Sequence, residues 1–358
     1  MPASKDIIVI GAGIIGASIA WHLTKAGAKV TIVEAASPGG VATANSFAWL
    51  NASWGNPKPY FRLRTRSLAE WTRLASECPG IQLGWVGGLL WDMPRDQLEA
   101  YAAEHGSWGY GIRRIDRAEA AQLEPNLAAP PDFALYVAEE GAVEPVSAAR
   151  ALTDDALRGG ARLISGAPVA SLVSENGRVV GIRTADATVR ADEVVLAAGT
   201  ASPELAATVG VNLPLDTPPG VLVHSHPHSK LLNGLVLADR AHIRQTAEGR
   251  IVAGADFGGA DPGADVAGTA RALFAEAQAM LKGGDALSLD FHTLGYRPTP
   301  ADGFPIIGRA DNVAGLYIAV MHSGITLAPV VGLFATEELL DGRRDPLLAP
   351  YGLSRFAQ

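Results

Sequence analysis

The sequence predicts an α/β fold of about two domains, on three observations. Residues 6–34 read as strand, glycine turn, helix and strand. A hairpin-rich stretch runs from residue 160 to an apolar strand ending at Ala198-Gly199, and residues 315–342 return to a short buried strand and a helix. At 358 residues the chain is too long for one small core, so length alone already suggests two domains.

Composition narrows the class. Hydrophobic residues make up 48% and charged residues 18%, which describes a well-packed chain without extensive disorder. The 40 glycines and 23 prolines, spread without repeat, indicate many turns. A net charge of −8 with no Lys/Arg cluster argues against nucleic acid or an anionic membrane as partner. Cys78 is the single cysteine, so an internal disulfide is excluded and a reducing, cytoplasmic setting is expected. The N-terminal "MPASKDIIVIGAG" runs straight into a strand and carries no signal-peptide pattern. Residues 312–336 lack Asp, Glu, Lys and Arg, but Asn312, His322, Ser323, Thr326 and Pro329 interrupt them. The expectation there is a buried strand-turn-helix and no membrane span.

The first element is "DIIVI", a continuous apolar run typical of a parallel strand buried on both faces. Gly11, Gly13 and Gly16 follow as GxGxxG, opening a helix with Ile14 and Ile15. The first glycine supports the tight turn, the second lets a pyrophosphate approach the backbone, and the third allows close helix–strand packing. The helix start offers unpaired amides and partial positive charge to phosphates. Glu34, at the end of the next strand, can accept both ribose hydroxyls and disfavours a 2′-phosphate. Strand, glycines and acid together predict dinucleotide binding; FAD or NAD stays open from this unit alone.

Three later features lean to FAD. After Glu34 comes "AASPGGVATANSFAWLNAS", whose Thr43, Ala44, Asn45, Ser46, Ala48 and Trp49 lie in a segment able to wrap a pyrophosphate and reach a flavin ring. Next, "GARLISGAPVASLVSENGRVVGIRTADATVRADEVVLAAG" reads as a β-meander followed by a strand, with "ENG" as a hairpin turn. Val169, Ala198 and Gly199 are its candidate nucleotide contacts. Finally "GLYIAV" reads as another buried strand, and a single nicotinamide-binding domain would not need so distant a return.

Together "VIGAGIIGASIAWHL", Glu34, "EEGAVEP", "EVVLAAG", "GYRPTPADGFPIIG" and "NVAGLYIAVMHSGITLAP" resemble the FAD-dependent D-amino acid oxidase family, glycine oxidase/sarcosine oxidase-like branch, over nearly the whole chain. The resemblance implies a Rossmann-like FAD-binding domain interleaved with an α+β substrate domain built on a mostly antiparallel sheet. Residues 1–75, 142–214 and 296–358 would form the first; residues 76–141 and 215–295 would form the second. It also implies oxidation of the C–N bond of an amino acid or secondary amine, by hydride transfer to flavin N5, giving an imine. Two alternatives stay open: oxidation of a 2-hydroxy acid, and a non-catalytic flavin-binding subunit of a larger complex.

On that basis Met321-His322-Ser323-Gly324 becomes the turn between strand and helix. His322, Ser323, Gly324, Ile325 and Thr326 would then face the pyrimidine edge of the flavin, where a helix start favours the negative charge of the reduced ring. Arg297, in "GYRPTP", resembles the family's carboxylate-binding arginine, and Arg297 and His322 are the candidates for the catalytic centre. Asn51, Trp54 and Tyr60 are candidates to lie over the active site. Glycine-oxidase-like members usually carry a longer Gly-His-aromatic-Arg turn where this chain has "MHSG". Bulkier, N-substituted or cyclic amino acids therefore enter the expected substrate range. "HSHPHS" is expected to be a strand end entering a loop with no metal, since Pro227 interrupts the ladder. Cys78 is distant in sequence from the C-terminal motif, so the FAD is expected to be non-covalent.

Overall fold

The computed structural model describes residues 5–52, 55–255 and 262–357; Trp54 lies outside the described residues. Asp6–Ile10 is a central strand of a six-stranded sheet, with Lys29–Glu34 on one side and Glu193–Leu196 on the other, both parallel to it. Leu316–Val320 continues the sheet beyond Glu193–Leu196, and Ile306–Arg309 closes that edge as an antiparallel strand. Burial on both faces explains the unbroken apolar run. Ile7 and Val9 pack toward the helices Ile14–Lys25, Pro145–Arg158 and Gly324–Asp341, whereas Ile8 and Ile10 pack toward Leu172, Ile182 and Leu205 on the opposite face.

The hairpin Val169–Glu175/Arg178–Thr184 turns at Asn176 and Gly177, with φ of 50° and 76°. Positive φ at both central residues is the type I′ geometry that matches strand twist, as "ENG" predicted. Arg162–Ser165 departs from expectation. It is not part of the meander but an edge strand of the main sheet, parallel to Lys29–Glu34 with Leu163 opposite Ile32.

The second large sheet has eight strands, all antiparallel except the pair Gly88–Trp91/Leu235–Ala238. Pro219–Ser225, His242–Gln245, Ile251–Gly254 and Leu289–Tyr296 form one half of it. One face packs on the helix Val266–Ala279 through Val221, Val223, Ile243 and Ala253. The other face turns toward the six-stranded sheet. The strand Pro219–Ser225 ends inside "HSHPHS", where His224 stacks on Phe291 with ring centroids 4.4 Å apart. Among the described residues, no helix is long and apolar enough to cross a membrane.

A long helix, Lys58–Glu77, joins the two halves. Its buried stripe of Tyr60, Phe61, Arg64, Ser67, Leu68, Trp71 and Leu74 follows the three-to-four spacing of a single helical face. Ser67 Oγ donates to the Thr326 carbonyl at 2.6 Å, and Trp71 Nε1 donates to the Ile325 carbonyl at 3.0 Å. The helix is thereby fixed against the start of Gly324–Asp341, which Gly342 ends in a left-handed cap at φ 70°.

His22 fastens this junction from behind. Its Nδ1 lies 2.8 Å from the Ser18 carbonyl, and its Nε2 lies 2.9 Å from Arg73 Nη2. Arg73 can only donate, so Nε2 accepts and Nδ1 carries the proton: the ring is neutral. Burial, helped by the Arg73 charge, lowers its pKa to about 4. The unfolded chain, with an ordinary histidine near 6.5, binds the extra proton first as pH falls. The His22 contribution is therefore complete above about pH 6.5 and is lost progressively toward pH 4, to the extent of roughly 3 kcal/mol. Thermal midpoints measured from pH 7.5 to 4.5 should fall with acidification, and His22→Asn should flatten that slope while lowering the midpoint at pH 7.5.

Candidate functional site

The site begins where the Asp6–Ile10 strand ends. The Gly11 amide donates to the Val33 carbonyl at 2.8 Å, and Gly11 has φ 98°. A β-carbon there would lie 2.5 Å from the Ala197 carbonyl oxygen, so only glycine lets the turn pass so close to the neighbouring strand. The Ile14 amide donates to Thr43 Oγ1 at 3.1 Å, which brings the 41–49 segment over the helix start. Glu34 is held by two backbone amides, Ala12 to Oε2 at 2.7 Å and Ala36 to Oε1 at 3.0 Å. These bonds orient the carboxylate at the strand end and leave lone pairs for sugar hydroxyls. Neither Ile14–Lys25 nor Gly324–Asp341 has an acidic residue in its first turn, so both helix starts keep their partial positive charge.

From there a cavity of about 640 Å³ runs past Val169, Ala198 and Gly199 on one side and residues 45–49 on the other. Ala48 is buried and holds φ 62°, a left-handed conformation that costs a non-glycine residue about 1–2 kcal/mol. Its surroundings impose it. The Phe47 carbonyl accepts from Arg244 Nε at 2.7 Å, and Arg244 is itself paired with Glu144 at 3.0 Å. Trp49 Nε1 donates to the fully buried Glu140 at 2.8 Å, and the Tyr110 hydroxyl donates to the same carboxylate at 2.6 Å.

The far end of the cavity is closed by the eight-stranded sheet. Leu222, Gly254 and His242 stand opposite one another across three adjacent strands, and all three line the cavity. His242 Nε2 lies 3.1 Å from Asp92 Oδ2, with both side chains buried, so the ring is held in a fixed orientation. Arg297 follows the edge strand Leu289–Tyr296. Its guanidinium lies against Gly220, where a β-carbon would collide with it. In the same cavity, Arg64 donates to the Asn51 carbonyl at 2.9 Å and to Asn51 Oδ1 at 2.5 Å, with its guanidinium 5.2 Å from the Tyr60 ring. At the Gly324 helix start, His322 Nδ1 is 3.2 Å from Ser323 Oγ.

Of the residues expected to hold the cofactor, Gly11, Gly13, Ile14, Ile15, Glu34, Thr43, Asn45, Ser46, Ala48, Trp49, Val169, Ala198, Gly199, His322, Ser323, Gly324, Ile325 and Thr326 line this one cavity. Two do not. Gly16 packs against the Gly11 carbonyl, where a β-carbon would collide, so it spaces helix from strand. Ala44 is exposed, because the helical turn Val41–Ala44 points Thr43 inward and Ala44 out. Arg297, Asn51 and Tyr60 also line the cavity, although the Asn51 carboxamide is engaged by Arg64. Sequence reasoning missed Arg64, Phe47, Leu222, His242 and Gly254. Arg64 was detectable as a charged residue at the spacing of the apolar stripe 60–61–64–67–68–71, although Glu70 on the same helix is buried as well. His242 leaves no such signal, since the cavity face of a strand is fixed only by its pairing. Cys78 is buried, its thiol pushed up to about 11 chiefly by desolvation, and it does not line the cavity.

A nucleotide grip continuous with a helix start and roofed by a separate sheet defines a flavoprotein oxidoreductase. The chain belongs to the FAD dependent oxidoreductase family (DAO), whose sequence profile matches residues 6–338. It is 29% identical over 344 residues to a glycine oxidase of Bacillus licheniformis, covering 94% of this chain and 93% of that one. Its fold superposes on the glycine oxidase of Geobacillus kaustophilus with a TM-score of 0.89 at 26% identity, covering 99% and 100% of the two chains. The L-proline dehydrogenase of P. horikoshii has the same fold, with a TM-score of 0.88 at 24% identity and 99% and 98% coverage. The protein is thus an enzyme of the FAD-dependent amino acid and amine oxidoreductases, with FAD as its cofactor.

The residues present fit that cofactor: a glycine turn opening the helix Ile14–Lys25, a fixed carboxylate at Glu34, and a second helix start without a first-turn acid, all on one cavity. Glu34→Ala should weaken FAD binding about tenfold to a hundredfold, the range for one or two hydrogen bonds to a charged group. Fluorescence titration of apoprotein with FAD measures this, and an unchanged Kd would remove Glu34 from the ribose.

Proposed function

We propose that the protein oxidises the C–N bond of an amino acid or secondary amine, with N-substituted and cyclic amino acids in its range. The observation that carries this reading is that Arg297 lines the same cavity as the Gly324 helix start and the nucleotide grip. FAD, which Gly11–Ile14, Glu34 and the Gly324 helix start would hold, would supply the hydride acceptor for the substrate carbon beside nitrogen, and water would hydrolyse the resulting imine.

The chain's own residues bind and orient. Arg297 presents a planar, permanently charged fork, which matches a carboxylate better than any other side chain. Its guanidinium packs against Gly220, which has no β-carbon to displace it, so a carboxylate held there would set where the neighbouring carbon sits. Leu222 and Gly254 provide an apolar wall with room beside it, suited to a substituent on nitrogen or carbon. The amides at Ile325 and Thr326, with the helix start they belong to, favour negative charge that develops nearby, worth about 0.3–2 kcal/mol and therefore a tuning of redox poise; the Gly324 amide itself donates to the His322 carbonyl. His322, bonded to Ser323, shapes that turn beside the reacting centre. The "MHSG" turn lacks the arginine of the glycine-type motif, which favours a bulkier or N-substituted substrate. The same reading has FAD held without a covalent bond, by residues of 1–75, 142–214 and 296–358, with 76–141 and 215–295 covering the substrate.

Anaerobic bleaching of the flavin across D-, L-, N-methyl and cyclic amino acids tests the reading. Bleaching by 2-hydroxy acids instead, or by nothing in the panel, would overturn it. With an amine substrate the rate of reduction should rise with pH as the substrate ammonium loses its proton. Arg297→Ala should weaken substrate binding by several kcal/mol, the cost of stranding a charged partner, while FAD stays bound. Unchanged substrate affinity would exclude Arg297 from the site.

A further inference from the structure

Arg64 is 5% exposed, yet it lines the cavity. Its partners are the Asn51 carbonyl and carboxamide oxygen, which take Nε and Nη2, and the Tyr60 ring. Among the described residues, no acceptor engages Nη1 and no carboxylate pairs with the guanidinium. A buried charge without a counter-ion is costly, by several kcal/mol when its partner is absent, and neutral oxygens compensate only part of that. The carboxylates lining the cavity are otherwise committed or displaced. Glu34 is held by backbone amides, Asp302 is paired bidentately with Arg355, and Glu204 lies on the helix Ser202–Ala207 beside the Val169 strand. The Tyr60 ring meets Phe304 at 5.3 Å, and Phe304 belongs to the cavity-lining segment that begins at Arg297. Arg64 therefore lines the same cavity as Arg297, on the part of its wall that Tyr60 and Phe304 share.

We propose that Arg64 is a second anion anchor, and that the substrate is a secondary amine with a carboxylate on each side of its nitrogen, an N-carboxyalkyl amino acid. This rests on the amine-oxidising reading above and adds its substrate class. Arg297 holds one carboxylate and Arg64 the other, so the C–N bond lies between two fixed points. In the reaction one carbon beside nitrogen gives up a hydride to FAD and nitrogen gives up a proton. A C=N bond forms, water adds across it, and the C–N bond breaks to release an amino acid and a 2-oxo acid. Asn51, by holding two edges of the guanidinium, leaves the third directed at the ligand.

The test uses the FAD-loaded enzyme and unreactive ether analogues, diglycolate with two carboxylates and methoxyacetate with one, titrated by calorimetry. Diglycolate should bind about tenfold to a hundredfold tighter, the range for an added charged contact. In parallel, anaerobic flavin reduction should favour N-carboxymethylalanine over N-methylalanine. Arg64→Gln should collapse the diacid-to-monoacid ratio. Asn51→Asp should do the same by giving the guanidinium an internal counter-ion with less disturbance to packing. Equal binding of the two ethers by the unaltered enzyme would overturn the proposal. So would a ratio that survives both substitutions, or an Arg64→Gln variant that loses FAD and keeps the ratio, since Arg64 would then serve the cofactor. If the ethers are discriminated and lose that discrimination on substitution, but no amine reduces the flavin, the anchor stands and the amine-oxidising reading falls.

Discussion

The parallel pairing of three strands, Asp6–Ile10, Glu193–Leu196 and Leu316–Val320, is the constraint on which the rest depends. Parallel strands end on the same edge of a sheet, so the segments that follow them must emerge together. Gly11 follows the first strand, Ala197–Gly199 the second and Met321–Gly324 the third. Two hydrogen bonds tie the first exit to its neighbours: the Gly11 amide to the Val33 carbonyl, and the Ala197 amide to the Ile10 carbonyl at 3.0 Å. The nucleotide grip and the second helix start are more than 300 residues apart in sequence, yet they open on one cavity because backbone hydrogen bonding leaves them nowhere else to go. Slipping the register of Asp6–Ile10 by one residue would turn Ile7 and Val9 toward the meander and Ile8 and Ile10 toward the helices.

Much of this was legible in the sequence because the features involved are local. A doubly buried strand needs an unbroken apolar run, a tight phosphate turn needs glycines at fixed spacing, and a type I′ turn needs residues that accept positive φ, as Asn176 and Gly177 do. Gly342 closes its helix for the same local reason. Features set by pairing between distant segments were not legible. Arg162–Ser165 reads as a meander strand because its alternation is that of any half-buried strand; only Leu163 opposite Ile32 makes it the edge of the main sheet. The row Leu222–Gly254–His242 exists only once three separate strands are in register. Ala44 went the other way: small residues around it suggested a loop following a ligand, but one helical turn carries it outward.

The loop between the two sheets is held by buried polar groups more than by apolar contact. Glu140, Arg244 with Glu144, and Arg64 with Asn51 each bond a backbone or side-chain group within residues 47–51. Such bonds are directional and costly to leave unmade, so they specify one loop conformation where apolar packing would tolerate several. The left-handed Ala48 shows that they outweigh local backbone preference. A rigid loop at this place is an advantage for hydride transfer, where an error of about 1 Å in donor position can cost about a hundredfold in rate.

The chain as a whole is acidic, at −8, whereas its cavity presents two arginines and two helix starts with no acid in their first turns. These do not conflict. Surface charges farther away than about 8–10 Å are screened at ordinary ionic strength, so net charge contributes little inside a recess. Within the recess the local dielectric is lower, and each fixed cation acts on a bound anion with little competition from water. The same arrangement serves both partners of the reaction. On the proposed reading, an anionic substrate would be drawn to Arg297 and Arg64, and the Gly324 helix start would favour negative charge arising on a cofactor bound in the same cavity. These cationic groups share a cavity only because the two ends of the chain pair in one sheet, so on the proposed reading one electrostatic field would act on both substrate and cofactor.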